Sequence, residues 1–200
     1  LETETLTQLD TGASWHGDRL SANLSLFHGW YDDYILVTEG GRSADNVDAR
    51  TYGLEADMRL RLTDSWGLTS TLAWVRSNNT SEDRPLAQTP PLEATLGLDY
   101  ARNAYFGGAL LRGVARQDRI AEGQGTIYSL DTRETPGFAT VSAYGGRELF
   151  GNTTLTLGVD NLFDRTYAEH IQNGSADLGA SAQPVNEPGR IVWANLTTRF

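Results

Sequence analysis

Two hundred residues suffice for one domain, and 26 Asp and Glu against 16 Lys and Arg give a formal net charge of −10. That acidity speaks against nucleic acid, which needs a basic surface, and the absence of cysteine removes disulfides, thiolate metal sites and a cysteine nucleophile. No run approaches the roughly 20 apolar residues of a spanning helix, whereas 21 glycines, 8 tyrosines and 5 tryptophans suit an all-β chain with aromatic girdles.

Alternation predicts about nine strands. The first spans 4–15 and a short turn at 16–18 leads to the second, 19–31, where Leu20, Ala22, Leu24 and Leu26 oppose Ser21, Asn23 and Ser25. In the third, 47–63, Tyr52, Leu54, Ala56, Met58, Leu60 and Leu62 share one face while Glu55, Asp57, Arg59 and Arg61 share the other. Burying four such charges in a dry sandwich would cost several kcal/mol per unpaired ion, so this strand decides for a wet-lumened barrel over a soluble β-sandwich. The turn 64–65 leads to 66–75, with Trp66, Leu68, Leu72 and Trp74 on the apolar side and a tryptophan at each end, as interfacial anchoring requires. Strands 92–100 (Glu93 and Asp99 on the polar face) and 105–116 (Arg112 and Arg116 on one side) follow, separated by Arg102-Asn103. Then come 138–144 and 153–161, joined across 145–152. The last strand, 190–200, places Val192, Ala194, Leu196, Thr198 and Phe200 opposite Trp193, Asn195, Thr197 and Arg199. Links 32–46, 76–91, 117–137 and 162–189 are long, which is the outer-membrane pattern of short periplasmic turns and long outer loops, with the carboxyl terminus in the periplasm. Nine is an odd number for a closed bacterial barrel, so a segment of a larger one is expected. No signal peptide opens the chain, which points to a mature or truncated piece.

At residues 159–167 the sequence reads VDNLFDRTY. Asn161, Leu162, Phe163 and Asp164 with Tyr167, the later stretch VNEPGR (185–190) and the terminal Phe200 resemble the carboxyl-terminal part of a TonB-dependent outer-membrane receptor. Within that family the stretches RPLAQTPPL (84–92), GLDY (97–100), GQG (123–125) and YAEH (167–170) are similar to the copper-receptor branch. The resemblance implies an antiparallel transmembrane segment of about nine strands from a 22-stranded barrel, spanning residues 1–200, with the plug domain absent. It implies uptake of a scarce metal or metal complex, copper among them, with a siderophore receptor of the same family or a passive porin-like barrel as alternatives. It also implies energy coupling to TonB through the missing plug, contact with outer-membrane lipid, and handling by the barrel-assembly machinery through the last strand.

Copper(I) favours sulfur and copper(II) imidazole. Met58 falls on the lipid face, His16 in a periplasmic turn and His28 on the outward face, which leaves His170 beside Glu169 as the candidate metal pair. No resident cofactor is expected; copper would be the transported ligand. The lumen charges Glu55, Asp57, Arg59, Arg61, Glu93, Asp99, Arg112, Arg116 and Arg199 are expected to contact a plug or simply to be solvated. The Asn161–Asp164 segment is expected to fix the geometry where strand passes into loop. A nucleophile elbow, a metal-binding His pair and a phosphate loop are all lacking, so no enzyme is expected; a barrel hydrolase would need His and carboxylates converging at the outer rim.

Overall fold

The computed structural model describes residues 1–126, 130–150, 152–171 and 185–199; Phe200 lies outside them. The β-elements are β1 (Thr5–His16), β2 (Leu20–Thr38), β3 (Ser43–Arg61), β4 (Trp66–Asn79), β5 (Arg84–Pro85), β6 (Glu93–Arg102), β7 (Tyr105–Val114), β8 (Phe138–Leu149), β9 (Thr153–Asp160) and β10 (Ile191–Thr198). Nine long strands form one antiparallel meander in the order β1-β2-β3-β4-β6-β7-β8-β9-β10, and the two-residue β5 pairs with β4. The described residues contain no helix. The all-β antiparallel architecture is as the alternation predicted.

Register carries each face across the whole sheet. Cross-strand partners point the same way. Leu24 pairs with Ala13 and Ala56, Ala56 with Leu72, and Leu72 with Ala94. Further along, Leu96 pairs with Leu111, Leu111 with Val141, Ala143 with Val159 and Val159 with Val192. The opposite face runs through Asn23–Asp57, Asp57–Thr71, Thr71–Thr95, Thr95–Arg112 and Arg112–Thr140. No described residue covers the apolar face, so Leu24, Leu72, Leu96, Leu111, Leu157 and Val192 are all exposed. A continuous apolar face of this extent requires an apolar surrounding.

Aromatic rings gather at both ends of that face. Trp66 meets Tyr100 at 4.8 Å toward the short-turn end. Toward the long-loop end His28 stacks on Trp30 at 4.1 Å and meets Tyr52 at 5.7 Å, and Tyr52 meets Trp74 at 5.9 Å. From Trp66 to Trp74, β4 offers roughly 27 Å of strand, enough for a tilted crossing.

Several expected boundaries are corrected. The expected loop 32–46 is mostly strand, because β2 and β3 continue past a register shift between Tyr31 and Tyr34 and reverse at Gly40 and Gly41. Both glycines have positive φ (66° and 93°), the backbone that a side chain disfavours. The extension forms because it buries apolar surface. Leu36, Val47, Ala49, Leu86, Ala87 and Ala121 make the one buried apolar cluster of the described residues, at the long-loop end rather than within the wall. The bulge shifts the period by one, which hides the strand from a reading of alternation. β7 stops at Val114, so Arg116 lies in a loop and not in the wall, and Arg199 follows the last residue of β10.

On the polar face, rings lie across glycines. A Cβ on Gly53 would come within 2.6 Å of Phe27 Cζ. One on Gly158 would overlap the Trp193 indole, reaching 2.7 Å from its far edge. Gly158→Val is therefore expected to cost about 1–3 kcal/mol through overpacking. Gly145→Ala, whose nearest neighbour would be Phe106 O at 3.9 Å, should change stability by less than about 0.5 kcal/mol. Urea unfolding of the two variants checks this, and equal midpoints would contradict it.

Candidate functional site

The four long connections meet at one end of the sheet, and Asp131 is their junction. Its side chain is fully buried. Oδ1 accepts from the Gln88 backbone N–H (3.1 Å) and from Gln88 Nε2 (2.8 Å), and Oδ2 accepts from the Ala121 N–H (3.0 Å). The backbone around it is tied in too, with Gly123 N donating to Asp131 O and Asp131 N to Gln124 O, both at 2.7 Å. One side chain thus joins the β5–β6 connection to the β7–β8 connection. Gln117 Nε2 adds a second tie between them by donating to Thr89 O at 2.8 Å. The β2–β3 hairpin joins through reciprocal Val37–Gly125 backbone bonds of 3.0 and 2.9 Å.

His170 brings in the β9–β10 connection. Its Nδ1 shares a hydrogen bond with Thr135 Oγ1 at 3.0 Å, and its Nε2 lies 3.6 Å from Asp131 Oδ1. These are the residue types of a hydrolytic triad, but their geometry is that of a brace. The His170 and Asp131 side chains are 2% and 0% exposed, and the carboxylate is taken up by amides, so no substrate reaches a base here.

Below this junction Arg112, near the end of β7, bridges two carboxylates from different parts of the chain. Nε and Nη2 donate to Glu93 Oε1 and Oε2 at 2.8 and 2.7 Å; Nη1 and Nη2 donate to Glu169 Oε1 and Oε2 at 2.6 and 3.3 Å. The guanidinium lies over the Phe138 ring, 5.3 Å from its centre, and Phe138 meets the Tyr167 ring at 4.2 Å. Tyr167 and Glu169 thereby hold the start of the last loop against the wall.

The segment from Asn161 to Asp164 prepares that loop. Asn161 takes positive φ (49°), which asparagine tolerates. Its side chain accepts from Arg165 N–H and donates to Arg165 O, both at 2.8 Å. Leu162 N donates to Val141 O at 2.7 Å, and Asp164 Oδ1 accepts from Arg190 N at 2.8 Å, closing the loop's base. Phe163 is 75% exposed.

Glu55, Asp57, Arg59, Arg61, Glu93, Asp99 and Arg112 all occupy polar-face positions. Asp57 accepts from Asn23 Nδ2 at 3.0 and 3.1 Å, Asp99 from the Tyr144 hydroxyl at 3.0 Å, and Arg61 holds the Asp18 carbonyl in the first short turn. Arg116 pairs with Glu134 inside the β7–β8 connection. Glu169 and His170, expected as a metal pair, take different partners, Arg112 for one and Thr135 with Asp131 for the other. Among the described residues no three His, Cys, Asp or Glu gather as a metal site would require. Asp131, Gln88 and Thr135 went unseen in the sequence, because they lie in aperiodic stretches and meet partners as much as 43 residues away.

Burial holds the His170 pKa below its ordinary value of 6.5, although Asp131 pulls it upward. The folded loops therefore bind this proton more weakly than the unfolded chain does. The brace is at full strength above pH 6.5 and weakens as pH falls from there through the lower folded value. Hydrogen exchange of residues 118–126, corrected for its intrinsic pH dependence, should accelerate between pH 7.5 and pH 5. His170→Asn should flatten that dependence; an unchanged one would contradict the assignment.

Residues 1–162 match the family model described as TonB dependent receptor-like, beta-barrel. The chain is 27% identical over 224 residues to a ferric enterobactin receptor of Pseudomonas aeruginosa, covering 100% of this chain and 30% of that protein. Among solved structures it matches the copper transporter OprC with a TM-score of 0.91 and 39% identity, covering 98% of this chain and 30% of that one. It matches a ferric enterobactin receptor from Pseudomonas aeruginosa with a TM-score of 0.74 and 25% identity, covering 98% and 31%. The chain thus spans less than a third of the length of these proteins.

Proposed function

We propose a transport role for this chain, which belongs to the TonB-dependent receptor-like β-barrel family: it is part of the wall and outer loops of an outer-membrane uptake receptor for a scarce metal or metal complex. The observation that carries this reading is the sheet itself, apolar on one face and polar on the other over nine strands, with braced loops at one end only. The apolar face meets lipid and the polar face lines the lumen. The long connections lie outside the cell and the carboxyl terminus faces the periplasm. The last strand, β10, is the segment that barrel-assembly machinery would engage.

Copper is the favoured cargo, because likeness to the copper transporter is stronger in both identity and TM-score than likeness to the ferric enterobactin receptors. A ferric siderophore is the second reading, supported by the curated relative. Glu55 and Arg59 make no ion pair among the described residues, which suits contact with a plug domain that TonB would pull. Soft ligands for copper would come from outside this chain, which offers no cysteine and one methionine; its loops would add the imidazole of His170 and the carboxylate of Glu169, donors suited to copper(II), once these are released from their present partners.

Copper uptake by cells carrying the complete gene, with and without TonB, tests the proposal. Uptake that requires both is expected. Copper uptake indifferent to both, alongside TonB-dependent uptake of a ferric catecholate, would replace copper with a siderophore.

A further inference from the structure

We propose that the outward face of this wall carries a site for the phosphate groups of outer-leaflet lipid, built from Arg50, Arg76 and Arg119. The inference rests on the orientation argued above, with the long connections outside the cell.

All three guanidiniums belong to the lipid-facing side. Arg50 is the register partner of Trp30 and Asn78, and Arg76 is the partner of Tyr52. Arg50 and Arg76 are diagonal neighbours on adjacent strands, roughly 7–8 Å apart. Arg119 reaches the same place from the β7–β8 connection, donating through Nη2 to Asn78 Oδ1 at 2.7 Å and to Ser77 O at 3.5 Å. Trp30 stands level with Arg50 and Tyr52 with Arg76, and Trp74 lies one alternation below Arg76, which together form the belt at the long-loop end. Beside them a cleft of about 160 Å³ opens between Trp74, Arg76, Pro90, Pro91, Arg116 and Arg119.

Three arginines stand together here in a chain of net charge −10. Arg116 in the same cleft is paired with Glu134. Arg50, Arg76 and Arg119 make no ion pair within 4 Å among the described residues. Acidic groups on this side include Asp118, beside Arg119, and Asp32 and Asp48, one alternation farther from the belt; among the described residues none pairs with the three arginines. Burial, and then the charge of Arg76, push Arg119 below its ordinary pKa, a repulsion that a bound anion relieves.

Guanidinium groups match phosphate with paired, charge-assisted hydrogen bonds. Their height, level with the outer rings of the aromatic belt, is that of the headgroup interface. The apolar wall below would accept the acyl chains of the same molecule, which makes a lipid-borne phosphate the fitting occupant rather than a free one.

The test uses the full-length protein extracted from outer membranes, delipidated, and titrated in mixed micelles with bis-phosphorylated lipid A or its dephosphorylated form, with retained lipid read by native mass spectrometry. The phosphorylated form should be held about a hundredfold more tightly, from a factor of about five per arginine. Combined Arg50→Ser, Arg76→Ser and Arg119→Ser should abolish the difference, while the triple lysine variant should keep most of it, which separates lost charge from lost folding. Equal retention of both lipids by the unaltered protein would overturn the site, as would displacement of the lipid by millimolar inorganic phosphate. A protein absent from the outer-membrane fraction would instead overturn the transport reading beneath it.

Discussion

Asp131→Ala should unfasten the outer loops while leaving the wall intact. The substitution leaves three N–H donors, two on Gln88 and one on Ala121, without their acceptor in a site closed to water. Each buried donor left unpaired costs about 1–3 kcal/mol, so the local opening free energy should fall by about 3–5 kcal/mol. Opening of this kind is read by proteolysis in intact cells. Arg133, two residues away, is exposed, and tryptic cleavage near it should rise at least about a hundredfold. Asp131→Asn keeps Oδ1 but sets a second donor against the Ala121 N–H, so it should fall between the native protein and alanine. Cleavage at the native rate in the alanine variant would remove Asp131 from the centre of the loop cluster.

Arg112→Met should have the next largest effect. It removes the bridge between Glu93 and Glu169 and leaves two carboxylates facing one another without a cation. Since the bridge is partly exposed, the loss should be about 1–3 kcal/mol rather than the larger figure of a fully buried pair. Arg112→Lys retains a charge but not the fork that reaches both partners, and should recover only part. Acid should partly rescue the methionine variant, because protonating one carboxylate ends the repulsion. Hydrogen exchange of residues 165–171 reports this directly, and a methionine variant insensitive to pH would contradict it.

The wall was legible in the sequence because alternation is a local property. Leu24, Leu54, Leu72 and Leu96 announce their face through neighbours two residues away, and pairing the strands required only the short turns. Charges on β3 settled the environment of the opposite face, since four ions at Glu55, Asp57, Arg59 and Arg61 need water. The loop end was not legible, for a physical reason. Arg112 meets Glu169 across 57 residues and Gln88 meets Asp131 across 43, and Glu169, Gln88 and Asp131 lie in stretches with no period to fix which way a side chain points. Glu169 and His170 looked like a pair because they adjoin in sequence, yet each is drawn to a separate partner. The β2–β3 extension was hidden by one bulge, which moved Ile35 to Val37 off the pattern set by Leu20 to Leu26.

The transport role requires the sheet to cross a membrane with one face in lipid. Spin labels placed one at a time at positions 68 to 73 of β4, in the full-length protein in bilayers, test this most directly through their accessibility to oxygen, which concentrates in hydrocarbon. Accessibility should oscillate with a period of two, peaking at Leu68, Ser70 and Leu72 and falling at Thr69, Thr71 and Ala73, whatever fills the lumen. A flat profile, or peaks at the threonines, would contradict a lipid-facing side on β4.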